Sequence, residues 1–388
     1  MSTPPDGNAA YNELARIFSA RRKDNRVLEI EILPPGLGPL LEDGNSIGLT
    51  KKYLVQAFVT ARRIFFDASN EPFYFPDASG HEDERKAPQN ESLRQKRRDD
   101  LLNASEIILL FDCEHLTACS WRKRRLAALI QHGGSADTSR GHREMTTCEL
   151  NTELSLLTTY ICSPLHRHTK SPTLYSHRLW VLRQMLSESS ASLTRREDDR
   201  DLVSDRKVLD EELSIVLRSG ELHPKNYYGF TYMRQLLDIL SSSYEDREGA
   251  SARLAAAIMP KVMDWCLAHP SDISGWMFTL RLLDWVRDEE SRTGCIDKVL
   301  LFALNVGWEG ESIWTFVNLA TKMTVVGASA KDQCRMPPNA LTNLPLSEFG
   351  AADGWKACLE RARAAWVARQ QAGSQTHVST RIGDDSPR

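Results

Sequence analysis

Two fifteen-residue stretches, HPKNYYGFTYMRQLL at 223–237 and HPSDISGWMFTLRLL at 269–283, align without a gap. Both begin His-Pro, carry glycine seventh and a large aromatic eighth, place a second aromatic tenth and end Leu-Leu. A line repeated at a period of about 46 residues marks a stacked repeat, because one supersecondary unit cannot bury its own apolar face alone. Each copy reads as the start of the second helix of a hairpin. Gly229 and Gly275 then admit a close neighbouring backbone, while Phe230 and Trp276 wedge between units, worth about 2–3 kcal/mol each when buried.

The surrounding chain is helical in pattern. GLTKKYLVQAFVTARRIFF (48–66) sets Leu54, Ala57, Phe58, Ala61, Ile64 and Phe65 on one amphipathic stripe. Further helices are predicted over 94–111 and 116–130, and then in pairs. The pairs are 145–162 with 171–189, 205–220 with 226–243, 250–269 with 271–289, and 294–307 with 311–324. RVLEIEILP (26–34) is the one alternating apolar stretch and reads as a short extended arm. The expected organisation is a disordered tail over 1–25 and a helical-repeat domain over 26–325 with loop insertions at 67–96, 132–144 and 190–204. A loop over 326–352, a C-terminal helix over 353–371 and a disordered tail over 372–388 complete it.

Fainter copies of the line follow once the template is known. The aromatic slot is Cys119 in the first, Tyr175 in the second, Phe230, Trp276, and Trp314 in the last. Arg122 and Arg178 stand three residues after their slots, and Trp180 follows Arg178. An aromatic and an arginine at that spacing share a helix face, so the guanidinium can reach orphan carbonyls at a neighbouring helix end. These residues are read as repeat packing.

Composition narrows the function classes. A net charge of −3 argues against a phosphate-backbone binder. No apolar run approaches the ~20 residues of a membrane span, and the N-terminus lacks the apolar core of a secretory signal. Eight scattered cysteines with no Cys-x-x-Cys pair predict reduced thiols in a cytoplasmic protein. Cys162, His166 and His168 form a lone cluster without the second half that a zinc site needs. WRKRR (121–125) reads as a solvated helix face, and Ser176 and His177, about 100° apart on a helix, make no dyad.

KSPTLYSHRLWVL and HPKNYYGFTYMRQLL resemble the repeats of protein prenyltransferase alpha subunits, which run Asn-Tyr-x-Ala-Trp-x-x-Arg-Arg. The likeness spans five copies from Leu116 to Leu319 and, with VLEIEILP and the helices after it, is greatest to the family's divergent alpha-type members. It implies an all-α right-handed superhelix of antiparallel hairpins, similar to tetratricopeptide arrays. Such a subunit wraps a beta subunit, of the Rab geranylgeranyltransferase type, that holds the catalytic zinc; this chain itself carries no cofactor. The pair would transfer geranylgeranyl from an isoprenoid diphosphate to a C-terminal cysteine of a protein substrate, the zinc activating the thiol. Lys225, Asn226 and Tyr227 match the family's Lys-Asn-Tyr, which implies that Lys225 reaches the diphosphate and Tyr227 walls the substrate cleft. The alternative is that Asn226 is only a helix cap and the chain a non-catalytic repeat scaffold, binding a protein on its concave face.

Overall fold

The structure is a computed structural model, and it describes residues 7–68, 87–132, 140–190, 199–286, 288–327 and 354–381. The architecture is all-α with one small sheet, and the chain divides into two compact units. Unit 1 comprises Met1–Thr194 with Ser214–Tyr232, and unit 2 comprises Arg195–Leu213 with Met233–Arg388.

Unit 1 begins with α1 (Gly7–Asp24), where the sequence predicts a disordered tail. Ala10, Tyr11, Leu14, Ile17, Phe18 and Arg21 recur at helical spacing and are buried. The Arg and Lys residues at the end of that stretch disguise the stripe. Asn25 closes α1 in the left-handed region, at φ 51.

Three strands follow, β1 (Glu29–Leu33), β2 (Leu40–Asp43) and β3 (Ser46–Thr50), in the order β1-β3-β2. β1 runs parallel to β3, and β2 antiparallel to it across a turn at Gly44. Only β1 is expected from the sequence; β2 is four residues long and largely exposed, so it shows no alternation to read.

The helices of unit 1 are α2 (Lys51–Ala68), α3 (Ala87–Phe111), α4 (Leu116–His132), α5 (Arg140–Cys162) and α6 (Pro172–Ser190). The C-terminal part of α7 (Asp199–Leu222) and the start of α8 (Tyr227–Ser241) complete the unit. Thr159 on α5 and Ser163 just past its end accept the Leu28 and Ile30 amides at 3.0 and 2.9 Å, so side-chain oxygens stand where an edge strand would pair. α3 is buried on all sides over 101–110 and forms the unit's centre.

Unit 2 contains the rest of α7 and α8, then α9 (Arg247–Ala268), α10 (Ile273–Trp285), α11 (Glu289–Asn305), α12 (Glu311–Gly327) and α13 (Trp355–Arg381). α9 packs on α10, α10 and α11 on α12, and α12 on α13. Asp246, Asp272 and Asp288 cap α9, α10 and α11 with their carboxylates. Arg292 closes the other end of α10, its Nε donating to the Leu283 carbonyl at 3.0 Å.

The three expected insertions are shorter than the sequence suggests, since 87–96, 140–144 and 199–204 are helical. Their charged composition reads as loop, yet Arg, Glu, Gln and Lys are good helix formers. The C-terminal helix likewise runs to Arg381, through part of the expected disordered tail. Residues 69–86, 133–139, 191–198, 328–353 and 382–388 lie outside the described residues, and with them the expected 326–352 loop from residue 328 on.

Candidate functional site

Four of the five repeat turns carry a side-chain cap four residues before the slot; before Trp314 that position is Gly310. His115, Ser171, Asn226 and Asp272 accept the amides of Ala118, Leu174, Gly229 and Gly275 with their side chains. Their backbone carbonyls then accept the slot amides of Cys119, Tyr175, Phe230 and Trp276 at 3.2–3.4 Å. The carbonyl six residues before each slot is satisfied too, by varied donors. In unit 2, Trp276 Nε1 donates to Pro270 O at 3.0 Å and Trp314 Nε1 to Trp308 O at 2.7 Å. In unit 1, the Tyr175 hydroxyl donates to Thr169 O at 3.2 Å. Phe230 has no donor, and Lys170 Nζ caps Pro224 O instead, at 2.7 Å. Cys119 has none suited to the task, and Ser171 Oγ serves Cys113 O at 3.3 Å. The slot is thus an aromatic plug that also closes its own turn. At Gly275 an added Cβ would stand 2.7 Å from the Trp265 ring, and at Gly229 3.0 Å from the Tyr175 hydroxyl, so side chains rather than backbone crowd these glycines.

The expected diphosphate-contact set is divided by this arrangement. Asn226 is fully buried, and the two N–H groups of its Nδ2 are shared among Thr169 O (2.7 Å), Ser219 Oγ (3.0 Å) and the Tyr175 hydroxyl (3.2 Å). With Oδ1 capping Gly229, its amide has no capacity left for a ligand. Lys225 is exposed and held at φ 63, a region that non-glycine residues seldom adopt. Tyr227 is 53% exposed and Tyr228 51%. Sequence reasoning passed over Tyr228 and the residues that frame the pair, because the frame comes from the preceding turn. There His166 meets His223 with ring centroids 4.6 Å apart, and the Lys170 bond joins the two turns.

A second cluster is buried in unit 1. Arg122 forms a two-pronged pair with Glu153, at 2.7 and 2.6 Å, and reaches Ser105 Oγ at 2.8 Å. Glu106, wholly buried, pairs with Arg21 and Arg22, with Arg122 at 3.5 Å. Arg122 was expected to meet carbonyls; it meets carboxylates. Arg178 does bind a carbonyl, that of Leu154 at 3.0 Å, although mid-helix rather than at an end. Trp180 is half-buried, its ring 6.4 Å from the His177 imidazole.

His177 itself is fully buried, with Nε2 3.3 Å from Glu153 but neither ring nitrogen in a hydrogen bond. Burial, then the charges of Arg122 and Lys123 against the opposing pull of Glu153, lower the imidazole from 6.5 to about 4. Burial raises the Glu153 carboxyl, but Arg122, by charge and hydrogen bond, with His177 and Arg125, overrides it and holds the group at about 2. Both folded values lie below the unfolded ones, so the unfolded chain binds more protons in each window and stability falls on acidification. For His177 the window runs from 6.5 down to about 4. His177→Gln should therefore flatten the decline between pH 7 and 5 by on the order of 2 kcal/mol, read as urea midpoints at each pH. Parallel pH profiles for the two proteins would dismiss this assignment.

The lone Cys-His cluster is not convergent. Cys162 Sγ points to Ile215 O at 3.8 Å, His168 is buried with Nε2 on Leu109 O at 2.9 Å, and His166 is exposed. Among the described residues no group of three or more His, Cys, Asp or Glu could hold a metal ion, and no helix is long and apolar enough to cross a membrane. The seven described cysteines are free, and burial pushes the Cys119 and Cys266 thiols up to about 12, leaving them unreactive.

A family model described as the ECM9 middle domain matches residues 179–299, less than half of the chain. The matched span holds both copies of the duplicated line, with Lys225 through Phe230 and Trp276. No curated protein matches the chain. This corrects the prenyltransferase alpha resemblance: the family model that matches is a different one, and it holds the two best-formed of the repeats that suggested it, those of Phe230 and Trp276. The physical reason is that plugs, caps and hairpins are demands of helix packing, which unrelated repeat chains meet with the same residue types. The expectations of partner, substrate and zinc that followed from that resemblance lose that support.

Proposed function

We propose that this chain is a helical-hairpin scaffold that holds a second protein against the turn surface around Tyr227 and Tyr228. The observation that carries the reading is that tyrosine pair, half exposed beside an asparagine whose every polar atom is bonded. Tyrosines supply large contact area for little lost side-chain freedom, and a backbone fixed beforehand lowers the ordering cost of binding. The free thiols, four of the seven described being buried, fit a cytoplasmic setting.

A second reading, a subunit of a two-chain prenyltransferase whose partner supplies the zinc, is favoured by Lys225 and Tyr227 lying exposed at the positive end of α8. One experiment addresses both. Tagged wild-type chain and the Tyr227→Ala/Tyr228→Ala variant are captured from cells that express them, and the co-purifying proteins are quantified and then reconstituted from purified components. The scaffold reading expects a near-stoichiometric partner whose affinity falls about tenfold or more in the variant, with the thermal melt unchanged. A partner held equally by both chains defeats it. Lys225-dependent isoprenoid transfer after co-expression with a prenyltransferase beta subunit selects the second reading.

A further inference from the structure

The two tyrosines follow directly on a basic turn that is joined to a second one. His166 and Arg167 are exposed before the 3-10 turn His168–Lys170, while His223 and Lys225 flank Pro224 in the next turn. The two turns are joined by the Lys170 bond to Pro224 O and by Thr169 Oγ1 with His223 Nδ1 at 2.8 Å, so residues 54 apart in sequence share one ridge. Five cation-forming side chains, His166, Arg167, Lys170, His223 and Lys225, thereby stand on two joined turns, the second of which leads directly into the half-exposed Tyr227 and Tyr228.

His223 lies below the ordinary imidazole value, through burial first and then through His166 and Lys170, with no acid opposing them. Three acids of this unit have partners of their own. Glu221 and Glu29 both pair with Arg218, at 3.3 and 3.6 Å, and Glu114 accepts the hydroxyls of Ser171 and Thr173. Lys225 stands on a backbone fixed from both sides, its own carbonyl accepting the Tyr227 amide at 3.1 Å and its neighbour Asn226 fully bonded.

We infer that this ridge binds an acidic peptide segment of the partner protein, carboxylates over Arg167, Lys170, Lys225 and the histidine pair, and carbon surface over Tyr227 and Tyr228. The inference rests on the scaffold reading and adds the partner's chemistry to it. Clustered cations beside aromatic rings recognise acidic motifs through charge-assisted hydrogen bonds, with the rings supplying contact area. A nucleic acid fits less well, because tracking a phosphate backbone takes a longer basic stripe and the chain as a whole carries −3.

The test is selection of random dodecapeptides displayed on phage against the immobilised full chain. The enriched pool should be rich in Asp and Glu, and its binding should weaken several-fold between about 0.1 and 0.5 M salt. Arg167→Glu/Lys225→Glu should reduce binding about tenfold or more, and Lys261→Glu, at an exposed pair with Asp210, should leave it intact. Circular dichroism of each variant guards against misfolding. An unbiased pool, an acidic pool indifferent to Arg167→Glu/Lys225→Glu, or tighter binding of an oligonucleotide or of anionic phosphatidylserine vesicles each overturns the inference. If the captured partner still depends on Tyr227 and Tyr228 while the pool shows no acidic bias, this inference alone fails and the scaffold reading stands.

Discussion

Arg122→Met is expected to destabilise unit 1 by about 3–5 kcal/mol, because it strands the Glu153 carboxylate, 1% exposed, without its two-pronged partner. The guanidinium is itself 1% exposed and spans three acceptors on two residues, Glu153 and Ser105, a reach that no single water can copy. Glu106 would keep Arg21 and Arg22, whereas Glu153 would keep only His177, an imidazole that burial holds neutral near pH 7, and the more distant Arg125. The loss should therefore fall on one carboxylate. Removing it as well, in Arg122→Met/Glu153→Leu, should recover more than about 2 kcal/mol relative to the sum of the single losses. Urea denaturation followed by circular dichroism measures all four proteins. A loss below about 1 kcal/mol for Arg122→Met, or additive single losses, would show that the pair is no organiser of the unit.

That pair also shows what a single sequence conceals. The hairpins could be read because period and punctuation are local: caps at His115, Ser171, Asn226 and Asp272 each stand four residues before a slot. Arg122 and Glu153 lie 31 residues apart on different helices, and Glu106 meets arginines more than 80 residues before it. Nothing in local spacing announces such partners, so WRKRR looked like a solvated face although Arg122 and Arg125 are buried. The candidate site failed to be legible for a related reason. Lys225, Asn226 and Tyr227 are consecutive, and only tertiary contacts decide that the middle one turns inward while its neighbours face solvent. The helix α1 was the opposite case, a stripe present in the sequence but masked by the charged residues that end it.

The plugs carry the second large effect. Trp276 is fully buried in unit 2, its ring 5.0 Å from that of Phe316 and its Nε1 on Pro270 O. Trp276→Ala should destabilise unit 2 by about 3–5 kcal/mol through the cavity left behind. Trp276→Phe keeps most of the ring but orphans the Pro270 carbonyl, for a smaller loss of about 1–3 kcal/mol. The comparison has a natural counterpart in unit 1. At Phe230 the corresponding carbonyl, Pro224 O, has Lys170 as its donor. If the plug acts both as a wedge and as a turn closure, Lys170→Met should resemble Trp276→Phe, though weakened by its exposure, and not Trp276→Ala. Chemical denaturation of the full chain separates the cases. Equal losses for Trp276→Ala and Trp276→Phe would mean that the hydrogen bond alone matters, and a loss under about 1 kcal/mol for Trp276→Ala would mean that the duplicated line encodes no wedge at all.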